Sequence, residues 1–115
     1  MKATELMVGD WVCLKDDIKC ELPLKIDGVL TDDISLEGEG FLGGAEGLIR
    51  PIPITPEILE KNEDVKGLTM FRKNEQGIDC LALIYIPVVN LYYIHELQHA
   101  LRLCGLNELA DNFKI

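Results

Sequence analysis

The segment Pro51-Ile52-Pro53-Ile54 constrains this chain more than any other stretch, because each proline fixes one backbone angle and removes one amide donor. Neither a helix nor a fully paired strand runs through such a segment, so it reads as a stiff extended connector. Directly after it, Thr55 can accept from the first free amides of a helix, Pro56 suits the first helical position, and Glu57 faces the positive end of the helix dipole. The predicted helix is short and stops near Asn62, in the polar Asn62-Glu63-Asp64 stretch ahead of Gly67.

Ahead of the connector the chain reads as short strands and turns. Gly9-Asp10 makes a turn that launches Trp11-Val12-Cys13-Leu14, and Asp16-Asp17 ends that strand. Leu22, Leu24 and Ile26 alternate along a half-buried strand from Leu22 to Leu30, with a bend or bulge at Asp27-Gly28. Ile34-Ser35-Leu36 alternates likewise, Gly38-Glu39-Gly40 and Gly43-Gly44 are turns, and Leu48 to Ile52 closes the segment. Strands this short cannot bury both faces of a flat sheet. The economical arrangement is a small curled barrel of SH3-like type, which also removes exposed edges. Trp11, the one tryptophan, is a candidate binding-groove aromatic, against the alternative of a core or barrel-lid residue.

Beyond the connector, Leu68 to Arg72 and Ile78 to Ile86 are strand-like, joined by Asn74-Glu75-Gln76-Gly77 as a hairpin loop. The second run is almost continuously apolar, which implies burial on both faces under covering helices. Tyr93 to Cys104 is helical by period, with Gly105 where a C-terminal cap belongs. Ile94, Leu97, Ala100, Leu101 and Cys104 fall on one arc, and His95, Gln98, His99 and Arg102 on the other. A second short helix, Asn107 to Phe113, offers Leu109, Ala110 and Phe113 as an apolar face. The expected fold class is α+β. Residues 1–54 form the small barrel and residues 55–115 a lobe of hairpin sheet and two C-terminal helices, either separate or sharing one core.

A chain of 115 residues, 48% hydrophobic and 27% charged, is long and apolar enough to fold as one domain or two small ones. Its formal charge of −9 and pI near 4.6 weigh against nucleic acid as a partner, since phosphate binding needs Lys and Arg to displace counterions. The anionic surface reads as a solubilising one. Met1-Lys2-Ala3-Thr4-Glu5-Leu6 lacks the apolar core of a secretory signal, and the run from Leu81 to Val89, interrupted by Pro87, is too short to cross a bilayer. The expected location is the cytoplasm, away from membranes. Cys13, Cys20, Cys80 and Cys104 contain no C-x-x-C pair, so reduced thiols serving as small buried hydrophobes are expected.

His95-Glu96-Leu97-Gln98-His99 spells the H-E-x-x-H signature of zinc peptidases. Two histidines one helical turn apart can set two imidazole nitrogens on one zinc ion, and the glutamate between them can act as general base on the metal-bound water. Ala100 and Leu101 suit the longer form of the signature. The rest of that machinery is missing. A catalytic zinc site takes three protein ligands, yet the chain holds only these 2 histidines, leaving Glu108, Asp111 or Cys104 as third donor. The metzincin continuation fails, with Arg102 where its glycine and Gly105 where its third histidine would stand. Arg102 also projects from the face of both histidines, where a guanidinium repels a divalent cation. The pentapeptide therefore reads as the solvated polar face of an amphipathic helix, with no metal and no catalytic residue. The alternative keeps zinc as cofactor, with His95, His99 and Glu108 as ligands and Glu96 as base. A helix-turn-helix around Gly105 is set aside, because its second helix carries Glu108 and Asp111 against a single Lys114.

Three blocks carry a resemblance: Gly9-Asp10-Trp11-Val12, Pro51-Ile52-Pro53-Ile54-Thr55-Pro56-Glu57-Ile58-Leu59, and Tyr93-Ile94-His95-Glu96-Leu97-Gln98-His99-Ala100-Leu101-Arg102-Leu103-Cys104-Gly105. Together they resemble a family of short uncharacterised proteins found in gut-bacterial genomes and in phages or other mobile elements. The stretch from Gly67 to Asn90 departs most from it. The resemblance implies that the position of Glu96 can hold Gln, as H-Q-L-Q-H, and a glutamine cannot serve as general base. It carries no activity, cofactor or catalytic residue. The function expected is a non-enzymatic protein-interaction module of phage or mobile-element origin. Its partner is a protein, and Trp11 and the His95, Gln98, His99, Arg102 face are the candidate contacts. The alternative is the zinc-dependent hydrolase.

Overall fold

The computed structural model describes residues 6–17, 19–29, 33–37, 40–43 and 49–115. They belong to two compact units, Met1–Ile52 and Pro53–Ile115. The architecture is mixed α+β, with one antiparallel sheet in each unit.

The first unit contains β1 (Trp11–Leu14), β2 (Leu24–Val29), β3 (Asp33–Leu36), β4 (Gly40–Gly43) and β5 (Ile49–Pro51), in the sheet order β4-β3-β2-β1-β5. Gly9, at φ 92°, makes the turn before β1. The fully buried Asp10 locks that turn, its Oδ2 accepting from the Met7 amide at 2.8 Å. Strand β2 serves two partners: Leu24 and Lys25 pair with β1, while Ile26 to Val29 pair with β3, and the register shifts between Ile26 and Gly28. The expected irregularity at Asp27-Gly28 is the bend that lets one strand do both. Leu22, expected to open this strand, lies ahead of it and is exposed. Leu6, Val12, Ile26, Ile34, Leu36 and Ile49 form the core of this unit, with Leu14, Leu24 and Val29 packed against it. Each such side chain contributes roughly 1.5–3 kcal/mol by leaving water.

Strand β5 returns to pair with β1, so β4 and β5 are the outer strands, and no closed barrel forms among the described residues. The turns expected at Gly38-Glu39-Gly40 and Gly43-Gly44, the strand residues Leu30 and Leu48, and the N-terminal residues through Glu5 lie wholly or partly outside the described residues.

The second unit runs α1 (Pro56–Glu60), α2 (Glu63–Lys66), β6 (Thr69–Lys73), β7 (Asp79–Leu83), β8 (Ile86–Leu91), α3 (Ile94–Leu103) and α4 (Asn107–Asp111). Thr55 caps α1 through its Oγ1, 3.3 Å from the Ile58 amide, with Pro56 in the first turn. The connector before it is extended, as its prolines require. Pro53 bridges Tyr93, and the Ile54 amide donates to the Tyr92 carbonyl at 3.1 Å. The polar stretch after α1 is not a simple loop but the one-turn helix α2. Asn62 between the two helices donates to the Ile58 and Lys114 carbonyls and accepts from the Lys114 amide, fastening the chain after α4 to the end of α1.

In the sheet order β6-β7-β8, Asn74 shapes the first hairpin by accepting from the Gln76 and Ile78 amides, with Gly77 at φ 77°. The apolar run from Ile78 to Ile86, read as one strand, is broken by a turn at Ile84-Tyr85 and resumes as β8. Continuous apolarity hid that turn because neither residue is a usual turn former. The run also differs in burial along its length. Central β7 is buried from Cys80 to Leu83, whereas β8 at the edge exposes Pro87, Val88 and Val89. Arg72 of β6 reaches across β7 to the Asn90 Oδ1 and the Val89 carbonyl of β8. Among the described residues no helix is long and apolar enough to cross a membrane.

Candidate functional site

Helix α3 carries the histidine motif, and its ends explain part of it. At the start, the Glu96 carboxylate turns back to accept from the Tyr92 and Tyr93 amides at 2.9 and 3.0 Å. A glutamate at this third helical position satisfies amides that the helix itself leaves open. At the finish, Gly105 adopts φ 77°, its amide donates to the Arg102 carbonyl and the Leu106 amide to the Leu101 carbonyl. That pair of bonds is the Schellman motif, for which the glycine is required.

Ile94, Leu97, Ala100 and Leu101 are buried, as their spacing requires. The opposite arc is a correction to the solvated face expected from sequence. Gln98 is 0% exposed and His95 7%, while His99 and Arg102 are half-buried. Helix α4 accounts for much of this. The Gln98 Nε2 donates to the Ala110 carbonyl at 3.0 Å, and the Arg102 guanidinium lies 3.5 Å from the Asp111 carboxylate. The charge of Arg102, expected to repel a cation from the face of both histidines, meets Asp111. The most exposed residue of the helix is instead an apolar one, Leu103.

The two imidazoles meet edge to face, with centroids 5.6 Å apart and planes at 81°, and Tyr93 stacks on His95 at 6.1 Å. Of the donors considered as a third ligand, Asp111 is turned to Arg102, Glu108 is exposed, and Cys104 is a half-buried free thiol. Among the described residues, no three ligand atoms from His, Cys, Asp or Glu that lie within 4.8 Å of one another include either histidine. Glu108 lies instead on an open cleft of about 640 Å³ with Glu60, Glu63 and Asp64. Trp11, the remaining candidate contact, is half-buried on β1 with the Lys25 ammonium 5.3 Å from its ring centroid.

A second cluster forms in the first unit, between β1 and β2. Cys13 and Cys20 are joined by a disulfide, with Cα atoms 5.7 Å apart, which corrects the expectation of four free thiols; Cys80 and Cys104 are free. The Asp17 carboxylate stands beside the pair, and one of its oxygens and both sulfurs lie within 4.8 Å of one another. Leu22 and Glu21 donate their amides to this carboxylate at 2.9 Å, and those bonds, with Arg50 nearby, hold its pKa below the usual carboxylate value. The Arg50 guanidinium also donates to the Asp17 carbonyl. Sequence reasoning missed this cluster because it looked for close cysteine spacings. The available signal was Asp16-Asp17 at a strand end, where the chain turns back between the two cysteines.

Comparison with protein-family models, with curated proteins and with solved structures finds no match.

Proposed function

We propose that this chain is a non-catalytic protein-interaction module of phage or mobile-element origin, working in the cytoplasm. The observation that carries the reading is the hairpin of β7 and β8, where Tyr85 is 59% and Val88 89% exposed beside Ile84 and Val89, both also exposed. A contiguous apolar stretch of this kind in a chain of charge −9 suits a protein partner whose own apolar patch is rimmed by basic residues. The motif helix supports the same reading from the other side. Glu96 caps its own helix, Gln98 holds α4 and Arg102 meets Asp111, so these groups serve the fold. A cap is also a task that glutamine performs, which agrees with the H-Q-L-Q-H form that the family resemblance implies.

We infer that the first unit is a relative of the SH3-like barrel. Its order β4-β3-β2-β1-β5, with a bent β2 shared between two partners, supports that reading. Trp11, half-buried, and Lys25 offer it a second contact surface. The competing reading, a zinc-dependent hydrolase, draws on the 5.6 Å approach of His95 and His99.

Capture from a host lysate by the full chain, Val88→Asp and His99→Ala separates the two. The interaction reading expects a basic protein retained by the wild type and by His99→Ala and released by Val88→Asp. Peptide turnover that Glu96→Gln abolishes, or capture indifferent to Val88→Asp, overturns it.

A further inference from the structure

We propose that the reduced loop between β1 and β2 binds a thiophilic divalent cation of the zinc class, held by the sulfurs of Cys13 and Cys20 and a carboxylate oxygen of Asp17. The three donors come from one short stretch, and each is held in place by its own backbone or side-chain bonds. Cys13 is fully buried on β1, where it pairs with Arg50 of β5. Cys20 sits at φ 51°, and its amide donates to the Asp17 carbonyl at 3.0 Å, so the backbone itself returns the second sulfur to the first. The Asp17 carboxylate is anchored by the Glu21 and Leu22 amides. Each of its oxygens keeps a further lone pair, and donors fastened from behind in this way orient a metal ligand.

The donor chemistry selects the ion. Two thiolates and one carboxylate suit zinc and its soft neighbours and not magnesium or calcium, which take oxygen ligands. Three protein ligands leave a fourth position for water or an incoming group. The ligand set carries one negative charge beyond a divalent ion, and the guanidinium of Arg50, bound to the Asp17 carbonyl, offsets it.

Disulfide and cation compete for the same sulfurs. A dithiol reductant delivers two electrons and two protons to the Cys13–Cys20 bond, which breaks to two thiols while the reductant closes its own disulfide. The cation then displaces both thiol protons to solvent.

The test uses the full chain, reduced, held metal-free in a phosphine reductant, and titrated with cobalt(II) alone. The expected result is one cobalt per chain with sulfur-to-cobalt charge-transfer absorption, displaced by zinc, and no uptake by the oxidised protein. Cys20→Ser removes the absorption. Asp17→Asn, which keeps both sulfurs, retains it with affinity lowered by at least about tenfold. Reduced protein that shows no such absorption overturns the proposal. So does absorption unchanged in Cys20→Ser, or cobalt binding that survives Cys20→Ser and vanishes in His99→Ala.

Discussion

Helix α3 and the loop between β1 and β2 both gather side chains able to hold a metal, and they direct them in opposite ways. In α3 the carboxylate faces back along its own chain to two amides, the glutamine amide is committed to the α4 carbonyl, and the arginine is neutralised by Asp111. In the loop the backbone amides support the carboxylate from behind, and two sulfurs and an oxygen converge. Spacing along a helix places side chains on one face. Convergence on a point needs a chain that turns back, and only the loop does so.

The comparison can be broken most decisively at Gln98. Gln98→Ala removes a fully buried side chain and its bond to the Ala110 carbonyl, which keeps the Phe113 amide at 3.4 Å, so urea unfolding should show a loss of about 2–4 kcal/mol. A loss under about 0.5 kcal/mol would mean that the polar arc of α3 is not part of the packing. Cys20→Ser should lower stability by about 2 kcal/mol in oxidised protein, because it opens a short cross-linked loop. With a dithiol present the two proteins should unfold alike, and a difference that persists would assign Cys20 a packing role instead.

Glu96→Ala should cost about 1 kcal/mol and speed hydrogen exchange at the Tyr92 and Tyr93 amides, whereas Glu96→Gln should cost only a few tenths, since the amide oxygen still accepts. Equal effects of the two would sharpen the contrast toward the charge and the helix dipole. Val88→Asp should leave stability within about 0.5 kcal/mol, as an exposed position on an outer strand, while abolishing partner capture.

Much of the fold was readable from local chemistry. The proline connector, the Thr55-Pro56 helix start, the Gly105 finish and the bend at Asp27-Gly28 each have one physical solution, and the chain adopts it. What escaped depends on neighbours. The turn at Ile84-Tyr85 lies inside a run whose hydrophobicity is uniform. Burial of Gln98 could not be inferred from helical period, because a period describes one helix and α4 adds a second covering surface. The Cys13–Asp17–Cys20 cluster rests on a left-handed residue at Cys20, a conformation that cysteine composition does not announce.

Strand β8 bears on how the hairpin would be recognised. One of its residues, Pro87, has no amide hydrogen, and the carbonyl of Val89 already serves the Arg72 guanidinium. A visiting polypeptide would therefore find gaps in any hydrogen-bonded register along that border. Recognition there would draw on side-chain shape more than on added strand pairing, and a proline in an outer strand is a residue type that discourages edge-to-edge stacking.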